Sequence, residues 1–174
     1  MDSHSALNTN NWSEALYKHS QSGFFVRGLF LFLILIGLAV LFVFLADLRH
    51  PGILSRAQQD DLLKILGTLF VLLVFLLLFH NLTIAVYPDH IHFYFGIGII
   101  GRRIRFDDVI SCKPVRNPWW YGWGIHRYPG GWVYNIHGLD AVELDLKKGA
   151  KIRIGTNESM RLSEIINSRL VGNG

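Results

Sequence analysis

The sequence predicts a membrane protein: a two-helix hairpin followed by a compact β-barrel or sandwich of about seven strands with an amphipathic C-terminal helix. Three observations carry this. Nineteen residues from Gly28 to Ala46 pass without an ionisable side chain, a second uncharged run extends from Ile65 to Tyr87, and beyond Leu82 the apolar pattern becomes alternating. At about 1.5 Å of rise per residue the first run spans roughly 28 Å as a helix, close to the ~30 Å hydrocarbon core of a bilayer. Composition agrees, with 51% hydrophobic and 17% charged residues, a balance shifted toward the membrane class.

In chain order, residues 1–23 are polar and rich in Ser, Asn and His, and read as a tail with Trp12, Leu16 and Tyr17 offering a short amphipathic turn at best. The hairpin occupies residues 24–81, with helices over about 25–46 and 58–80 and a loop over 47–57. A cleaved signal peptide is the rival reading of the first run. Signal peptides carry apolar regions of ~7–15 residues and a small-x-small cleavage site, whereas this run is longer and ends in Val43-Phe44-Leu45-Ala46. Arg27 is placed to snorkel toward headgroups. Pro51-Gly52 ends the first helix, and Ser55-Arg56-Ala57-Gln58 has the spacing of a capping box for the second. The β-branched Thr83, Ile84 and Val86 put the change from helix to strand near His80.

The domain from 82 to 171 opens with a hairpin, Leu82 to Tyr87 and Ile91 to Phe95. Pro88-Asp89 forms its turn, and His90 takes a turn position where Gly is commoner. Gly96 to Gly101 is a flexible apolar connection, followed by strands over Arg102 to Phe106 and Val109 to Val115. Asn117 to Gly131 is irregular. Strand signals return at Trp132 to Ile136, Ala141 to Lys147 and Lys151 to Ile154. Parity pairs the apolar faces of the last two, with Leu146 opposite Ile152, Leu144 opposite Ile154 and Asp145 opposite Arg153 across a three-residue loop. Asn157 is a fair N-cap for a final helix whose Leu162, Ile165, Ile166 and Leu170 form an apolar stripe at helical spacing.

This order of elements, with Phe95-Gly96-x-Gly98, Arg102-Arg103-Ile104, Gly122-Trp123-Gly124-Ile125-His126, Gly130 to Asn135, Gly138 to Glu143 and Ile154 to Glu158, resembles a group of largely uncharacterised bacterial membrane proteins. In that group two helices precede a pleckstrin-homology-like domain. The resemblance covers about residues 25–170. It implies that fold and a bacterial inner-membrane address, and it implies no activity. His126 stands where the group has Arg, and Asn157-Glu158-Ser159 where it has Asp-Glu-Pro.

Residues 88–174 hold 12 of the 17 Lys and Arg against 8 of the 13 acids, so the positive-inside rule places both termini in the cytoplasm. The candidate lipid or partner surface comprises Arg102, Arg103, Arg105, Arg116 and Arg127, which suit anionic headgroups, and Trp119, Trp120, Trp123 and Trp132, whose indoles suit a membrane–water boundary. The bland alternatives are a solvated basic face and a Trp/Gly-rich corner that fills one end of the barrel. The Pro88-Asp89-His90 loop lacks Lys and Arg, so phosphoinositide specificity is not carried over. No basic stripe with a nucleic-acid motif appears. The expectations are no cofactor, no metal and no catalytic role. His90 and His92 share a strand face without a recognisable third ligand, and Cys112 reads as a buried strand thiol. Asp107-Asp108 point to opposite faces if they lie in a strand. Gly96-x-Gly98-x-x-Gly101 opens no helix, as a dinucleotide loop would.

The function expected is a non-catalytic, membrane-anchored binding module whose partners are the bilayer, anionic headgroups or a protein. The alternative is an accessory subunit of a larger membrane complex, its helices packing through Gly28, Gly37, Ala39, Gly67 and Thr68. Transport is disfavoured by the absence of charge within either run.

Overall fold

The computed structural model describes residues 15–47 and 54–172. Strand β1 (Tyr17–Ser22) comes first, then helices α1 (Phe24–Asp47) and α2 (Arg56–Phe79). Strands β2 (Asn81–Val86), β3 (His90–Phe95), β4 (Ile100–Arg105), β5 (Val109–Arg116), β6 (Gly124–Tyr128), β7 (Gly131–Asn135), β8 (Asp140–Leu146) and β9 (Lys151–Gly155) follow, and helix α3 (Ser159–Gly172) ends the chain. The expected tail over residues 1–23 is therefore corrected in its described part, because Tyr17–Ser22 is a strand. Trp12 and the Pro51-Gly52 break lie outside the described residues.

Both long helices are apolar and long enough to cross a bilayer, and none of their residues is buried within the protein. The capping box forms as expected: the Gln58 backbone N–H donates to the Ser55 hydroxyl at 3.3 Å, and the Ser55 backbone N–H donates to the Gln58 side chain at 3.0 Å. The helices meet at Gly37, where a Cβ would lie 2.6 Å from the Leu69 side chain, and through the stacked rings of Phe30 and Phe75. Gly28 and Gly67 have open space around them.

The helix pair is inserted into a strand pair. β1 lies antiparallel to β2 with Ser22 opposite Asn81, and the Gly23 N–H donates to the His80 carbonyl at 3.1 Å. One residue separates each helix from its strand, so the two helices form the loop of a β-hairpin. β1 was illegible because Tyr-Lys-His-Ser-Gln-Ser carries no apolar alternation. Its inward positions are Tyr17, His19 and Gln21, of which Tyr17 and Gln21 are buried.

The strands build two sheets, β1-β2-β3-β4 and β5-β8-β9-β7-β6, antiparallel throughout except for the parallel β7–β9 pair. There are nine described strands rather than about seven, since β1 and β6 were not foreseen. The core lies between the sheets and α3, filled by Leu82, Ile84, Ile91, Phe93, Phe95, Val142, Leu144, Ile152, Ile154, Leu162 and Ile166. Val26 of α1 and Phe79 of α2 pack against it.

Three local expectations are corrected. The β8–β9 register is shifted by two, with Leu144 opposite Ile152, Asp145 opposite Lys151 and Glu143 opposite Arg153. Parity held because a shift of two keeps every side chain on its face, and the three-residue loop becomes Lys147–Gly149, with Gly149 at φ 76°. His90 is a strand residue opposite Arg105, and the Tyr87 N–H closes the turn onto its carbonyl at 2.8 Å. Asn157 does not cap α3: its side-chain oxygen lies 2.6 Å from the His19 ring, while the Thr156 hydroxyl accepts from the Glu158 N–H.

Candidate functional site

The end of the domain from which the helices leave is built by three loops. Around α1, Gly23 packs on Ile136, and Phe25 stacks on Trp123 at 5.2 Å and on His137 at 6.1 Å. The Gln21 amide donates to the His137 carbonyl at 2.8 Å, and the Asn117 N–H to the Leu139 carbonyl at 2.7 Å. Around α2, Phe79 packs on Phe95, and Gly96 lies against the Leu77 and Leu78 carbonyls. Arg27 turns back along α1 to donate to Ser22 at 3.1 Å.

The Trp/Gly-rich stretch is less irregular than expected. Its first part makes a 3-10 turn over Trp119–Tyr121, and Gly122 turns the chain at φ 62° into β6. Tyr121 faces the outer surface of the second sheet, beneath which lies a buried charge cluster. The Glu143 carboxylate, 3% exposed, accepts from Arg153 Nε at 2.7 Å and from the Tyr128 hydroxyl at 3.2 Å, and lies 3.1 Å from Lys113 Nζ. Arg153 also donates to Asn117 at 3.2 Å and lies over the rings of Tyr128 and Tyr121. Burial raises the Glu143 pKa, but the bonds from Arg153 and Lys113 outweigh it and hold the carboxyl at about 2. Burial, then the Glu143 charge, pushes Tyr128 up to about 12. Arg153 thus ties the loop to the sheet through Asn117 and Tyr121, while Trp119 and Trp120 remain 75% and 67% exposed.

The loop therefore packs the domain and exposes indoles at once. Trp132 is not part of it. β7 runs toward α1, and Trp132 stands near its far end beneath the Arg127 guanidinium at 5.7 Å.

The five arginines are also divided. Arg103 and Arg105 face outward on β4, where Lys18, Ala85, His92 and Arg103 form one row across the four strands. Burial, then the charges of Arg103 and His90, lower the His92 pKa and favour its neutral form. Arg105 pairs with Asp107 at 2.8 Å. Arg102 has the opposite parity, and it borders a crevice of about 100 Å³ together with Arg103, Ile104, Asp108, Leu146 and Lys148. Arg116 borders an open groove of about 770 Å³ beside Asp140 and the start of α3. Asp107 and Asp108 belong to a 3-10 turn rather than a strand.

No family model and no curated protein matches this chain. Among the described residues, no three metal-ligating side chains cluster. Cys112 is buried, with its thiol pushed up to about 12 by burial. Asn167 bonds both backbone groups of Cys112, with its amide 2.9 Å from the carbonyl and its oxygen 3.3 Å from the N–H, covering part of edge strand β5. The residues that sequence reasoning missed are Lys18, Glu143, Arg153 and Tyr121. Lys18 lay in a segment read as tail, and Glu143 looked like one solvated charge of an alternating strand.

Proposed function

We propose that this chain is a non-catalytic binding module, anchored in a bacterial inner membrane by two spanning helices with both termini cytoplasmic. It would present a pleckstrin-homology-like domain to a partner at the membrane surface. The observation that carries the reading is the insertion of the helix pair between β1 and β2. A domain joined to its helices through paired strands cannot swing away on a linker, so the anchor and the presented surface form one body, and a membrane-bound partner meets it at high effective concentration.

The fold assignment draws support from the strand order. Without the β6–β7 hairpin, seven strands remain as antiparallel sheets of four and three with α3 at the end, the order of elements of pleckstrin-homology-like domains. The surface favoured for the partner is the outer face of the first sheet, where Lys18 and Arg103 lie in one row across the strands with Arg105, paired to Asp107, beside them, a basic face suited to acidic protein segments or anionic headgroups. Purification in mild detergent tests it. A stoichiometric protein that co-migrates with the native chain and is lost from R103E/R105E supports a protein partner. A lone chain whose binding to phosphatidylglycerol vesicles falls in that variant supports headgroups. Unchanged binding of both kinds would remove this face from the proposal.

One observation favours the alternative of an accessory subunit. Between the helices runs a largely apolar groove of about 420 Å³, lined by Leu33, Ile36, Gly37, Val40, Ile65, Thr68 and Leu72 with Lys64 among them, and small residues such as Gly37 and Thr68 are of the kind on which a further helix packs closely.

A further inference from the structure

The connection between β3 and β4, Gly96-Ile97-Gly98-Ile99, is uncharged and carries two isoleucines that are 58% and 73% exposed. An exposed pair of isoleucines on a four-residue turn has no role in the domain core. Their position relative to α2 gives them one. A Cβ on Gly96 would collide with the carbonyl oxygen of Leu77 and lie 2.6 Å from that of Leu78, so the backbone of this turn rests against the last turn of α2. Only glycine allows that approach, and its φ of 49° is one that L side chains rarely adopt. The Gly96 N–H donates to the Asn81 carbonyl at 2.9 Å, and the Gly98 N–H closes the turn onto Phe95.

Gly96 thus lies level with Leu77, inside the helix, which ends at Phe79. Ile97 and Ile99 begin at the depth where α2 is still apolar. On the other side of the pair, Phe25 and Trp123 stack at the first turn of α1, 58% and 49% exposed. The first turn of α1 therefore has an indole of the domain stacked against it, and the last turn of α2 has the backbone of an uncharged turn against it.

We infer that the Ile97–Ile99 turn inserts into the same bilayer that holds α1 and α2, and that with Phe25 and Trp123 it forms an apolar collar seating the domain in the membrane. The occupant is lipid because the turn continues the apolar surface of α2 at the same level. A water-exposed turn there would leave two large aliphatic side chains uncovered beside a helix that is itself in hydrocarbon. Trp at the headgroup level and Ile deeper match the preferences of those side chains across an interface. This inference rests on the reading that the helices span the bilayer.

The test uses the full chain in phosphatidylcholine–phosphatidylglycerol nanodiscs, with single nitroxide labels at Ile97→Cys, Ile99→Cys, Phe32→Cys and Asp89→Cys. Cys112 is buried and does not compete for label. Relaxation by oxygen against a water-soluble nickel chelate reads depth. Ile97 and Ile99 should show an oxygen-to-nickel ratio several-fold above that of Asp89, at the far end of the β2–β3 hairpin, and approaching that of Phe32 in α1. A ratio at Ile97 and Ile99 equal to that of Asp89, with Phe32 still in lipid, overturns the collar and leaves the anchor standing. A water-accessible Phe32 overturns both.

Discussion

Glu143 shows how one residue changes meaning between a strand pattern and a fold. On an alternating strand it is one of two acids on a polar face. In the folded chain it is buried beneath Tyr128, bonded by Arg153 and approached by Lys113 and Lys151. Removing one partner of such a group leaves the others uncompensated, which costs more than the pair itself contributes. The folded-state pKa lies below the ordinary carboxyl value, so its contribution is present above pH 4.5, falls as the pH drops, and is lost by about pH 2. Glu143→Gln should therefore destabilise the chain in detergent by about 2–3 kcal/mol at pH 7. This is below the full linkage value because the lysines are half-exposed and screened. The difference from the native chain should shrink between pH 4.5 and 2. Equal thermal midpoints at pH 7 would show that the cluster carries no net stability. Because Arg153 also holds Asn117 and Tyr121, Trp119 and Trp120 should become more accessible to acrylamide in the same variant.

At the scale of elements, the joint between α2 and the first sheet depends on glycine. Gly96 and Gly98 both have positive φ, but only Gly96 meets backbone; the nearest atom to a Cβ on Gly98 is a Tyr94 ring carbon at 3.7 Å. Gly98→Ala should therefore cost about 1 kcal/mol, the conformational penalty alone. Gly96→Ala adds a clash with carbonyls that cannot rotate away and should cost about 3 kcal/mol, measured as the difference in thermal unfolding in detergent. Equal costs at the two positions would mean that the helix end yields. The same joint explains a sequence signal that carried less meaning alone. Gly96 to Gly101 reads as a flexible connection because three glycines have many uses, and only contact with Leu77 and Leu78 selects one.

For the whole molecule, the consequence of inserting two helices into a strand pair is that the domain starts before them. β2 carries Leu82, Ile84 and Val86 into the core and needs β1 on its outer edge. If residues 24–79 are replaced by Asn-Gly, the favoured two-residue hairpin turn, Gly23 and His80 remain in register and a β-rich domain should unfold cooperatively. It would be less stable than the full chain because Val26 and Phe79 no longer pack on the core. A chain beginning at Asn81 should show no cooperative transition by circular dichroism. Cooperative folding of that shorter chain would mean that β1 is an accessory strand rather than part of the domain.

Much of the architecture was legible because it rests on local signals. Two uncharged runs of bilayer length, a capping box at Ser55, the alternation of Val142, Leu144 and Leu146, and the stripe of Leu162 and Ile166 each recur within a few residues, at the period of the element they specify. The candidate surface was legible only as composition: the Trp and Arg residues were visible, but not their separation. Arg102 and Arg103 are neighbours in sequence and point to opposite faces of β4, Trp123 meets Phe25 at the first turn of α1, and Trp132 lies away with Arg127. Tertiary structure decided the rest, because what it decided is non-local. A polar strand such as β1 exists only when β2 supplies its hydrogen bonds from some sixty residues away. Likewise, parity assigns Arg153 to a face, and only the packed sheet chooses Glu143 over Asp145 as its partner.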